Sequence, residues 1–167
     1  MTEEREKKLN EYYSWFNPFA VAVYNLSKEY NIGSLLRTAH CAKAKEFFLI
    51  GEESFNTYAA VSSDKWTKIN YFEKTDDFVN FIKQTNYNLV LVEQSKKSVS
   101  MFDFNYPSYP LFFLGQEKGG LPESIIGQNF PVLEIPQFGL VHSLNLSCSG
   151  SIVIYHYLYK LYKEKKC

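Results

Sequence analysis

No apolar run in this chain approaches the roughly 20 residues that a membrane-spanning helix needs. Its first fifteen residues, MTEEREKKLNEYYSW, put charges where a secretory signal would need an apolar stretch. Membrane and secreted classes are set aside, and a cytoplasmic protein is expected. Cysteine is scarce: Cys41, Cys148 and Cys167 are odd in number, widely spaced and form no CxxC pair, so reduced thiols are the expectation. His40 and His156 stand at no metal-ligand spacing with these cysteines, and no metal is expected. Charge of one sign is not in excess, with 18 basic and 18 acidic residues. A nucleic acid would therefore have to be met by a local patch or a composite surface rather than by a global field. Basic residues cluster at Arg5 to Lys8 and at Lys160 to Lys166, and each run reads equally as a solvated helix face. A G-x-S-x-G elbow is also missing, and the neighbours His142 and Ser143 are badly placed to act as base and nucleophile on one another.

What is present fits one domain, since 167 residues match the usual size of a unit with its own core. Phe19 to Leu26, Phe47 to Ile50, Asn88 to Val92, Leu111 to Leu114 and Val132 to Ile135 are short, continuous apolar runs. Such runs belong to parallel strands buried on both faces. Between them, Ile32, Leu35, Leu36 and Ala39 recur at helical spacing after Asn31, read as the N-cap, and Phe78, Phe81 and Ile82 do so after Asp76 and Asp77. Leu144 to about Lys165 reads as a long final helix with small residues in its first turns. Strands alternating with helices give an α/β sheet with right-handed crossovers. Phe55 to Asp64 and Ser95 to Tyr109 read as long loops.

Three segments carry candidate chemistry. In NIGSLLRTA, Asn31 caps a helix and Arg37 lies in its second turn, about 9 Å along the axis at ~1.5 Å per residue. A helix start beside an arginine suits an RNA phosphate, although a plain capped helix with a surface arginine has the same sequence. In GQEKGG, residues 115–120, a glycine-rich turn follows a buried strand and carries one acid, Glu117. A dinucleotide loop would aim backbone NH groups at a pyrophosphate from such a turn, but Glu117 would repel it. A cationic or polar ligand is compatible, as is an ordinary strand-to-helix turn with an exposed acid. In IPQFGLVHSLNLS, Pro136 ends a strand, Gly139 permits a sharp turn, and Ser143 or Asn145 opens the final helix. The two polar residues are caps or ligand hydrogen-bonding groups.

Taken in order, NIGSLLRTA, FLGQEKGGLP and IPQFGLVHSLNLSCSGSIVIYHYL resemble the three motifs of the SpoU family, the ribose 2′-O-methyltransferases of the SPOUT class. The likeness runs from about Asn17 to Lys163, and GQEKGG and SLNLS are most similar to the transfer-RNA guanosine branch. The resemblance implies a single α/β domain over residues 18–167, after a helical extension of residues 1–17. Its parallel sheet would be flanked by helices, with the C-terminal part tied in a trefoil knot that binds S-adenosylmethionine. It further implies a homodimer whose RNA site, for transfer RNA by expectation, is completed across the interface. Val92, Gly115, Ile135 and Leu144 would border the methyl donor, and Asn31, Arg37, Glu117, Ser143 and Asn145 match the family's catalytic or active-site polar positions. A sulfonium donor has no phosphate and bears positive charge, so Glu117 suits this reading where it opposed a dinucleotide. Gln137 and Cys148 depart from the third motif of many relatives. The rival expectation is a catalytically weak knotted subunit that binds RNA or a partner and needs another protein for targeting.

Overall fold

The computed structural model describes residues 3–25, 30–116 and 119–164. Its seven strands are β1 (Ala20–Asn25), β2 (Phe47–Gly51), β3 (Ile69–Phe72), β4 (Asn88–Val92), β5 (Val99–Ser100), β6 (Pro110–Leu114) and β7 (Val132–Glu134). They form one sheet in the order β3-β2-β1-β6-β4-β7-β5, with every pairing parallel. The helices are α1 (Glu3–Tyr13), α2 (Tyr30–Cys41), α3 (Thr75–Ile82), α4 (Glu123–Ile126) and α5 (Leu146–Glu164). No described helix is long and apolar enough to cross a membrane.

The continuous apolar runs have the cause expected of them. Successive strand side chains point to opposite faces, and here both faces are covered. Val21, Val23, Phe47, Leu49, Val90, Phe112 and Leu114 pack with α2 and α5 in one core. Their alternates Ala20, Ala22, Phe48, Ile50, Leu89, Leu91, Leu111 and Phe113 pack with α3 and α4 in a second. Two close approaches fix the first layer. A Cβ on Gly33 of α2 would lie 2.6 Å from the Asn56 carbonyl oxygen, and one on Gly150 of α5 would lie 2.3 Å from Leu35 Cδ1. Thr38 and Ser151 hydroxyls meet at 3.0 Å where α2 and α5 pack together.

Several expectations need correction. Asn31 is not a cap, because α2 already includes Tyr30. Asp76 and Asp77 lie inside the first turn of α3, where carboxylates favour the positive end of the helix dipole. The stretch 55–64 holds two 3-10 turns, Thr57–Ala60 and Ser63–Lys65, and 95–109 contains edge strand β5. Strand β3 was not expected at all; it lies at the edge with none of its residues fully buried. The last helix starts at Leu146, two residues later than expected.

The N-terminal α1 is docked by its last turn. Tyr12 stacks on His40 with ring centroids 4.8 Å apart, Lys43 lies 3.9 Å over the Tyr12 ring and donates to the Tyr12 carbonyl, and the Tyr13 hydroxyl donates to the Trp66 carbonyl at 3.0 Å. Of the first basic run, Lys8 pairs with Glu4 across one exposed helical turn at 2.7 Å, as a solvated face would.

Candidate active site

In parallel sheets ligands gather beyond the carboxyl ends of the strands, and here a cleft of about 240 Å³ opens beyond β4, β6 and β7. Val92 and Leu114 are the last residues of β4 and β6, and Ile135 follows β7. Gly115 and Gly120 form one wall. Ser143, Leu144 and Leu146 form another. The cleft thus brings together all four residues expected to border a cofactor, Val92, Gly115, Ile135 and Leu144, and adds Ser143.

The glycine wall is built by close backbone approach. A Cβ on Gly115 would lie 2.2 Å from the Gly120 carbonyl carbon and 2.4 Å from the Leu121 nitrogen, so only glycine lets the loop fold back on the strand end. Gly120 N donates to the Gln116 carbonyl at 3.1 Å. Gly119 and Gly120 take φ of +103° and +61°, a region that side chains disfavour. Glu117, in the same loop, lies outside the described residues.

The opposite wall is held by a cap. Asn145 Oδ1 accepts from Ser147 N at 2.9 Å and Ser147 Oγ at 2.7 Å, which satisfies backbone donors at the start of α5. Its Nδ2 donates to Asn31 Oδ1 at 2.8 Å. One amide therefore opens α5 and ties it to the first turn of α2, joining two polar residues 114 positions apart. Arg37 stands apart from the cleft. It is exposed and lines a shallow recess with Ser34, Thr38, Cys41, Ala59, Ser151 and Tyr155.

Sequence reasoning missed Glu93 and Gln94 altogether and gave no site role to Gln116, Gln137, His142 and Ser149 within or beside the motif segments; all six also line the cleft. A signal existed for the first two, since a polar pair directly after the apolar run Leu89 to Val92 sits where such sheets hold ligands. Glu93 is the one carboxylate among the described lining residues, and neither lysine nor arginine is among them. Among the described residues, a lining of backbone, aliphatic side chains, amides, hydroxyls and one imidazole, with one acid and no lysine or arginine, suits a phosphate-free ligand better than a nucleotide phosphate.

The solved crystal structure of the A. aeolicus TrmH/SpoU tRNA modifying enzyme superposes with a TM-score of 0.86 at 22% identity, covering 98% of this chain and 85% of that one. The crystal structure of AdoMet-bound rRNA methyltransferase from Sinorhizobium meliloti gives a TM-score of 0.78 at 23% identity, covering 92% and 60%. Both similarities establish the fold. The mouse tRNA (guanosine(18)-2'-O)-methyltransferase TARBP1 is 28% identical over 140 residues, which is 79% of this chain. The chain spans only 9% of that relative's length. The profile of the SpoU rRNA Methylase family matches residues 18–155, most of the chain and every described residue that lines the cleft, and the chain belongs to that family.

Proposed function

We propose that this protein transfers a methyl group from S-adenosylmethionine to a ribose 2′-hydroxyl of RNA, with transfer RNA as its substrate class, in the cytosol. The observation that carries this reading is the cleft beyond β4, β6 and β7, walled by the second and third motif segments, with no lysine or arginine among its described lining residues. The crystallised relative from Sinorhizobium meliloti is an AdoMet-bound rRNA methyltransferase, and the mouse relative is a tRNA methyltransferase.

Val92, Gly115, Ile135 and Leu144 border the donor, largely through backbone, and the position a Cβ on Gly115 would take is filled by the Gly120–Leu121 backbone of the same wall. When bound, S-adenosylmethionine supplies a methyl group on a cationic sulfur, open to in-line displacement by a ribose oxygen. The protein's share is to hold that oxygen in line at about 3–3.5 Å and to ease loss of its proton. Asn31, Ser143 and Asn145 shape the ribose pocket, supported by the Asn31–Asn145 bond at the mouth of α5. Arginine does not give up its proton in proteins. Arg37 therefore orients the nucleotide through a phosphate, and Glu117 completes the polar set from the glycine loop.

The proposal includes a homodimer. Ile152, Tyr155, Tyr159 and Tyr162 leave an exposed apolar stripe along α5 that runs into the Arg37 recess at Tyr155. A second copy packed there would bring groups of one chain to Arg37 of the other, where one copy leaves it apart from the cleft. It includes the trefoil knot as well, supported by a path that runs to β5 at the sheet edge, returns to β6 between β1 and β4, and then places β7 between β4 and β5. Helix α1, docked by its last turn, supports reading residues 1–17 as an extension of a methyltransferase domain over residues 18–167.

The test is incubation of purified protein with labelled S-adenosylmethionine and total RNA. Label entering RNA of transfer-RNA size is expected. Donor binding with no incorporation into any RNA would replace this reading with a partner-dependent subunit.

A further inference from the structure

We propose that Glu93 and Gln94, the two residues that follow β4, are positioning residues that clasp both walls of the methyl-donor cleft. The inference rests on the donor-binding reading given above and concerns side chains outside the motif segments.

Strand β4 lies between β6 and β7, and the Glu93 N–H still donates to the Leu133 carbonyl at 3.1 Å. The pair is thus anchored to the centre of the sheet. The Glu93 carboxylate turns to the glycine wall, where Oε2 accepts from Leu121 N at 3.1 Å and Oε1 from Gln94 N at 3.0 Å. It presses so closely on the turn that a Cβ on Gly120 would fall 2.4 Å from Oε2. Gln94 turns to the other wall, and its Nε2 donates to the His142 carbonyl at 3.1 Å.

Both walls need such tethers. One is a loop with glycines at 115, 119 and 120, whose ordering costs more backbone entropy than that of other residues. The other carries Phe138, Leu140 and Val141 at 90%, 97% and 73% exposure, so apolar packing does little to hold it. A charge-assisted bond on one side and an amide donor on the other set the spacing of the walls before a ligand arrives. Preorganisation of that kind shows as ligand affinity.

The experiment is calorimetric binding of S-adenosylmethionine and of S-adenosylhomocysteine to the full chain, with steady-state methylation alongside. Glu93→Ala and Gln94→Ala are each expected to weaken binding by about tenfold or more. The donor KM should rise with it, while kcat at saturating donor and the KM for RNA stay within about twofold. Glu93→Gln retains an acceptor for Leu121 N–H and should recover most of the affinity. Gln94→Glu cannot donate to the His142 carbonyl and should behave like Gln94→Ala. Gln94 is exposed, so its variants remain informative if Glu93→Ala does not fold. Alanine and wild-type proteins binding equally would overturn this inference alone, as would a fall in kcat with donor KM unchanged. Wild-type protein that binds neither compound would overturn the functional reading, and this inference with it.

Discussion

Gly115 and Arg37 represent opposite cases at the scale of single residues. Gly115 is fixed by space: a methyl group there would overlap the Gly120–Leu121 backbone, and backbone cannot swing aside as a flexible side chain can. Gly115→Ala is expected to abolish measurable S-adenosylmethionine binding by calorimetry, and binding within twofold of wild type would show that the wall does not contact the donor. Arg37 is fixed by nothing of that kind. It is exposed and lines a recess away from the cleft. Arg37→Ala should therefore leave donor affinity unchanged while methyl transfer at saturating RNA falls by about 100-fold or more; near-normal transfer would remove its proposed role. Asn31 and Asn145 show how far such roles can be read from sequence. Asparagine favours helix caps, and Asn145 caps α5 here. That the Asn145 amide also reaches Asn31 depends on the packing of α2 beside α5, which no local pattern encodes.

Among elements, those buried on both faces were readable and those at edges were not. β1, β2, β4 and β6 are apolar at nearly every position because helices cover the sheet on either side. β3 and β5 sit at the two edges, and β5 is two residues long, so neither writes a clear signal. Helix α1 was expected as an extension, but not the mode of its attachment. His40 Nδ1 lies 3.0 Å from the Tyr12 hydroxyl and 3.1 Å from that of Thr67. Burial, and secondly the Lys43 charge, hold its pKa below the ordinary 6.5. A base whose pKa is lowered on folding is protonated first in the unfolded chain. The contribution is thus complete above about pH 6.5 and is lost as pH falls through the folded value. Burial and Lys160 lower His156 in the same way. The thermal midpoint should fall between pH 7.5 and 5.5, and His40→Gln, which keeps an acceptor for Tyr12, should lessen that fall. A wild-type and variant difference independent of pH would contradict the assignment.

For the whole molecule, the order of the motif segments was readable because family motifs are local strings. The meeting of the second and third at one cleft depends on β4 lying between β6 and β7, pairings that the strings alone do not specify. The missed pair Glu93 and Gln94 illustrates the same gap, since its partners lie 28 and 48 residues away. The proposed dimer makes its own prediction. Tyr155 and Tyr159 are 53% and 61% exposed on α5, and a Tyr155→Glu, Tyr159→Glu variant should run as a monomer in light scattering, retain donor binding and lose RNA methylation. A wild-type monomer at tens of micromolar would refute the dimer. The most direct test of the central claim is the chemical position of the transferred methyl group. Transfer RNA labelled by the protein from S-adenosylmethionine and digested with alkali should carry the label in alkali-resistant dinucleotides, because a methylated 2′-oxygen cannot attack the adjacent phosphate. Label recovered in single nucleotides would place the methyl on a base and contradict ribose methylation, and RNA without label would contradict methyl transfer altogether.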